Sequence, residues 1–221
     1  MAKVGVVLSG CGVHDGSEIH EAVLTLLHLD KAGQEIIPLA PNILQSQVID
    51  HLNQEEIERE NRDLLVEAAR ITRGDIQSLD TVNKNELDAI ILPGGAGAIK
   101  NLTNYAFIQE NCKINPQVQN LIEEMIDLGK PVGAICISPL VVARALVDTD
   151  YTPRLTVGKD CEVAQYIQEE LNAVHIESKV SEVVVDEDLK IVTTPAYMLA
   201  ESISNIDTGI KSLVDNVIKL I

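Results

Sequence analysis

Short apolar runs alternate along this chain with stretches of helical periodicity, and that alternation restricts the possible folds more than any other feature. VGVVLS (4–9) reads as a strand. It is followed by Glu18–Ala32, whose apolar residues Ile19, Ala22, Val23, Leu26, Leu27 and Leu29 lie at helical spacing. EIIPLA (35–40) predicts a second strand, and LDAIILPGGAGAIKNL (87–102) gives a fully apolar strand with a Gly-rich turn. Residues 115–128 predict an amphipathic helix, stopped by Gly129 and Pro131; PVGAIC (131–136) is the next strand and Ser138–Val147 the next helix. RLTVGK (154–159), a helix over 162–172 and AVHIE (173–177) come next. VVVDEDLKIVTT (183–194) then carries hairpin turn residues around Asp186–Asp188, and one or two helices close the chain over 198–220. Strands that alternate with helices imply right-handed βαβ units and a mostly parallel sheet with helices on both faces.

At 221 residues, one α/β domain spanning 1–221 is expected. Residues 41–84 are too long for a plain connection and predict an insertion with its own helix over Glu55–Arg70, broken at Gly74, with IQSL (76–79) as a short strand. Ser17 or Asp15 is the expected cap of the first helix, and Gly33 marks its end.

Thirty-four acids against 17 bases leave a formal charge of −17, which disfavours nucleic acid and anionic membrane surfaces as partners and suits solubility in cytosol. With no Trp and one Phe, the core is aliphatic and stacking on aromatic rings is not an expected binding mode. Residues 3–9 are too short a run to span a membrane, and nothing reads as a signal peptide, so the expected location is cytoplasmic. The four cysteines (Cys11, Cys112, Cys136 and Cys161) form no CxxC pair and read as reduced thiols; no metal-ligand spacing is present.

Ligands of such sheets sit beyond the carboxyl ends of the strands, which selects the loops at 9–17, 93–98 and 136–139. Cys136, in GAICISP (133–139), stands where a strand turns into a helix. It is either a core filler or a nucleophile favoured as thiolate by the nearby helix start. In PGGAGA (93–98), Gly94 and Gly95 free the backbone to present N–H groups to an oxyanion, although a tight turn explains them as well. Glu21, with Glu18 one turn before it, could share a proton with a facing thiol; by periodicity alone it is an ordinary solvated glutamate. SGCGVHDG (9–16) only imitates a dinucleotide fingerprint, because its third glycine, Gly16, falls one place late.

These loops, in this order, resemble the DJ-1/PfpI superfamily, relatives of the class I glutamine amidotransferases, and within it the ElbB/ES1 branch linked to isoprenoid biosynthesis. The resemblance rests on VVLSGCGVHDGSEIHEA, NRDLLVEAARITRG, LPGGAGAIKNL, KPVGAICISP and KIVTTPAYM. It implies a flavodoxin-like three-layer sandwich with Cys136 at the nucleophile elbow, the family glutamate at Glu21 and oxyanion-side glycines at Gly94 and Gly95. It also implies a homodimer. The histidine that follows the nucleophile in many relatives is Ile137 here, and where glyoxalase-type relatives carry a later histidine RLTVGKD offers Lys159 and Asp160. His175-Ile176-Glu177 imitates an amidotransferase His-x-Glu but lies before the hairpin, and TTPAYM fills the family position. His14 is the expected substitute imidazole, with His20 on a helix face turned away from Glu21.

The activity so implied is a glyoxalase without cofactor or metal. Cys136 adds to a carbonyl of glyoxal or methylglyoxal, amides around Gly94, Gly95 and Ile137 hold the oxyanion, and Glu21 carries the proton, with His14 and Glu18 as accessory groups. The rival expectation is a redox-sensing or metabolite-binding protein that uses the same cysteine.

Overall fold

A computed structural model describes residues 1–200 and 202–221. Seven strands form one sheet in the order β10-β11-β7-β6-β1-β2-β5. These are β1 (Lys3–Val7), β2 (Glu35–Ala40), β5 (Gln77–Ser78), β6 (Ala89–Leu92), β7 (Val132–Ile135), β10 (Val184–Asp186) and β11 (Ile191–Thr194). All neighbours pair parallel except β10, which closes an antiparallel hairpin on β11. The parallel core β2-β1-β6-β7-β11 is the flavodoxin order, in which the ligand crevice opens at the switch point between β1 and β6.

Apolar runs become these strands because both faces of the sheet are covered: every residue of β6, β7 and β11 is buried. On one face α1 (Ile19–Lys31) packs against α6 (Ile203–Leu220), and α6 lies over β7 and β11. α3 (Pro116–Asp127) and α4 (Pro139–Leu146) pack together and against β7. The fold is therefore the expected three-layer α/β sandwich. A smaller apolar cluster lies beside it, around α5 (Glu162–Glu170) and a two-stranded sheet of β8 (Arg154–Leu155) and β9 (Val174–His175).

Two local expectations are corrected. The helix over Glu55–Arg70 does not form: Ile49–Asp50 (β3) pairs antiparallel with Glu55–Glu56 (β4), and only Leu64–Ala68 (α2) is helical. The reason is burial. Leu64 and Ala68 reach the core, whereas 55–60 carries five polar residues and only a half-buried Ile57, so no apolar face holds a helix there. IQSL does provide a strand, β5, at the sheet edge. Neither Ser17 nor Asp15 caps α1: Ser17 Oγ accepts from Ser9 N and Asp15 Oδ2 from Ile49 N. Glu18 is the cap, its Oε2 accepting from Glu21 N at 2.7 Å.

Candidate active site

The ends of β1, β6 and β7 converge as the topology requires. Cys136 follows β7 at φ +63°, a conformation that costs a non-glycine residue about 1–2 kcal/mol. Its surroundings hold it there. Cys136 N donates to Thr194 O at 2.9 Å, and two residues on Ser138 Oγ donates to Pro93 O at 2.7 Å, which ties the corner to the neighbouring strand ends. Ala196, at φ +40°, is a second strained residue beside the same centre.

Glu21 is fully buried and hydrogen-bonded to the Cys136 thiol. Its Oε2 accepts from Gly94 N at 3.0 Å, and its Oε1 from Tyr197 N at 3.3 Å. Burial first, then the charge of Glu18, pushes the carboxyl up to about 8, and these hydrogen bonds recover only part of the shift. The thiol is likewise pushed well above its ordinary range, by burial first and Glu21 second; amides of Gly95 and Ile137 directed at the sulfur pull it part of the way back. The helix start does not make Cys136 a thiolate, as the sequence alone suggested: desolvation outweighs it. With the carboxyl raised to about 8 and the thiol raised further, both groups are largely protonated at pH 7, and the carboxyl is the first of the two to lose its proton.

Gly94 is required by this closeness. A Cβ there would lie 2.5 Å from Cys136 Cβ and 2.7 Å from Glu21 Oε2. Its N–H is already engaged by Glu21, so the amides facing the sulfur are those of Gly95 and Ile137. At Gly95 (φ +102°), a Cβ would strike Glu18 N and Gly16 O at 2.4 Å.

Cys136 opens onto a cleft of about 340 Å³. Val13, Ala96, Ile99, Ile137 and Met198 make most of its wall, while His14, Glu18 and Tyr197 bring polar atoms. Ile99 belongs to a π-helical turn, Ala98–Leu102, a geometry frequent at functional sites. Of the residues singled out by sequence, Cys136, Glu18, Gly95, Ile137 and His14 line this cleft; Gly94 and Glu21 stand behind its wall. The backbone of His14 is pinned on both sides, its N–H by His51 Nε2 at 3.2 Å and its carbonyl by Lys100 Nζ at 2.8 Å. His175 lies in β9, outside the cleft lining. Among the described residues no group of three or more His, Cys, Asp or Glu is placed to hold a metal ion, and no helix is long and apolar enough to cross a membrane.

Tyr197 was missed. It lies in TTPAYM, beyond β11, and both lines the cleft and donates its N–H to Glu21. Its OH is 2.8 Å from His20 Nδ1, so the helix face that turns His20 away from Glu21 turns it toward Tyr197. No local pattern signals a contact across 177 residues.

The DJ-1/PfpI family model matches residues 13–201. The glutamine amidotransferase-like class 1 domain-containing protein 3, mitochondrial, of Homo sapiens is 40% identical, over 99% of this chain and 83% of its own length. The ES1 protein homolog, mitochondrial, of Rattus norvegicus is also 40% identical, over 99% of this chain and 84% of its own. A crystal structure of an isoprenoid biosynthesis protein with an amidotransferase-like domain from Ehrlichia chaffeensis superposes with a TM-score of 0.91 at 35% identity, covering 99% of this chain and 100% of that one. The expected cytoplasmic location is corrected by the human and rat relatives, which are named as mitochondrial proteins. An acidic, aliphatic composition suits any aqueous compartment and cannot choose between them.

Proposed function

The chain belongs to the DJ-1/PfpI family, and from that footing we propose that it is a cofactor-independent glyoxalase acting on glyoxal or methylglyoxal. The observation that carries this reading is the hydrogen-bonded pair of a strained cysteine and a buried carboxyl up-shifted to about 8, at the floor of an open, mostly apolar cleft. The cleft suits a small uncharged carbonyl compound, with the methyl group of methylglyoxal against Ile99, Ile137 or Met198.

In the proposed course, Cys136 Sγ bonds to the aldehyde carbon. The carbonyl π pair moves to oxygen, facing the amides of Gly95 and Ile137. Glu21 takes the thiol proton on one carboxyl oxygen and passes its own to the new oxyanion, giving a hemithioacetal. A carbon bonded to that sulfur stands next to the group hydrogen-bonded to Glu21. The carboxyl then moves a proton from that carbon to the adjacent ketone oxygen, giving an enediol, and one from the first hydroxyl to the second carbon, giving a thioester. Water cleaves the thioester to the 2-hydroxy acid and restores the thiol. The redox change is internal, so no outside oxidant or reductant enters.

Cys136→Ala and Glu21→Gln, assayed with glyoxal and methylglyoxal, test the reading. Loss of turnover in both supports it, and unchanged rates refute it. The rival sensor reading needs an easily formed, accessible thiolate, and the burial of Cys136 works against that. A homodimer, which the resemblance implies, goes with this proposal; a monomer mass in sedimentation would remove it.

A further inference from the structure

Resting on the glyoxalase reading, we infer that Tyr197, His20 and Glu18 form the route by which protons leave the site during thioester hydrolysis. The net reaction turns an uncharged dicarbonyl and water into a carboxylate, so one proton per turnover must reach solvent. Glu21 exchanges protons inside the site but cannot hand one to bulk water, because the carboxyl is fully buried. Tyr197 lines the cleft, and its OH lies 2.8 Å from Nδ1 of His20. The His20 side chain is 51% exposed, so it is in contact with bulk water. Glu18 Oε1 is 3.8 Å from that same nitrogen, close enough to offset the charge of an imidazolium.

One backbone position links the two halves. The N–H of Tyr197 holds the Glu21 carboxyl, while its side chain reaches toward His20. A water oxygen bonds to the thioester carbon, and its proton passes to the Tyr197 oxygen as the Tyr197 proton moves to His20 Nδ1. The carbon–sulfur bond breaks, Cys136 leaves as thiolate and takes the Glu21 proton, and the remaining water proton, on the product carboxyl, returns to Glu21, so the product departs as a carboxylate. His20 then gives its proton to solvent. Tyr197 is the catalytic group here; His20 and Glu18 act through it as positioning residues.

The test compares wild type, Cys136→Ala, Tyr197→Phe and His20→Ala with methylglyoxal, following turnover and, by rapid quench and intact-mass measurement, the acyl adduct on Cys136. Expected for Tyr197→Phe and His20→Ala is a fall in kcat on the order of 100-fold at little-changed KM, with the adduct accumulating. Added imidazole should restore His20→Ala but not Tyr197→Phe. Equal kcat with no adduct in these two variants, while Cys136→Ala is inactive, overturns the relay and leaves the thiol chemistry standing. A slow variant with no adduct and no imidazole rescue also overturns the relay, because a merely structural role would behave so. Full activity in Cys136→Ala, or no turnover by wild type, overturns the underlying glyoxalase reading and the relay with it.

Discussion

Two cysteines of this chain are buried, and they differ in backbone conformation, partners and surroundings. Cys136 is 8% exposed and Cys112 fully buried. Cys136 stands at a left-handed corner where three strand ends meet, hydrogen-bonded to an acid, with a cleft in front of it. Cys112 is outside the left-handed region and sits among Tyr105, Leu140 and Leu171 in the smaller apolar cluster. Its sulfur meets Tyr166 OH at 3.4 Å, and its carbonyl accepts from Arg144 Nε at 2.6 Å. Burial alone therefore does not distinguish a structural thiol from a reactive one; backbone strain and an acid partner do.

The largest expected contrast between them is in turnover. Cys136→Ala should lower dicarbonyl turnover by at least ~1,000-fold, whereas Cys112→Ala should leave kcat unchanged and cost about 1–2 kcal/mol of stability in denaturant unfolding. A common loss of activity would erase the distinction. Next in size, Gly94→Ala should destabilise by about 1–3 kcal/mol and abolish activity, because its methyl group would fall on both members of the pair. Retained activity in that variant would mean that the two side chains are further apart than described.

A subtler contrast lies in pH. The Glu21 carboxyl is raised from 4.5 to about 8, so between those values the unfolded chain has lost a proton that the native protein keeps. That contribution to stability is fully present below pH 4.5, falls as pH rises to about 8, and is then constant. Glu21→Gln should flatten the fall, by a few kcal/mol across the window, and Cys112→Ala should not. The same Gln variant removes the second-largest influence raising the Cys136 thiol, so alkylation of Cys136 should reach half its maximal rate at lower pH than in wild type. The smallest effect is conformational: Cys136→Gly relieves the φ +63° strain and should gain up to about 1 kcal/mol over Cys136→Ala, whereas Cys112→Gly should gain nothing over Cys112→Ala.

Much of the scaffold was legible because the chain writes its buried strands as uninterrupted aliphatic runs: AIIL and VGAI are strands whose every residue is buried. Where the chain is polar the signal failed. Glu55 to Glu60 have strong helix formers but a single apolar residue, the half-buried Ile57, and two of them pair instead with Ile49–Asp50. The end of β7 marked Cys136 as a candidate, but nothing local marked Glu21, whose neighbours made it read as a solvated first-turn acid. Its burial depends on Gly94 and Tyr197, 73 and 176 residues away. The direction of the thiol shift was missed for the same reason: desolvation belongs to the assembled site, while a helix start can be read from a few residues.

The proposed chemistry needs a carboxylic acid that stays neutral behind a sulfur, and a carbon-13 NMR titration of the protein labelled at the glutamate δ-carbon observes that acid directly. The Glu21 resonance, assigned by its loss in Glu21→Gln, should report a protonated carboxyl at pH 7 and move with a midpoint near 8. A resonance already that of a carboxylate at pH 7, titrating near the ordinary glutamate value of 4.5, would contradict the account.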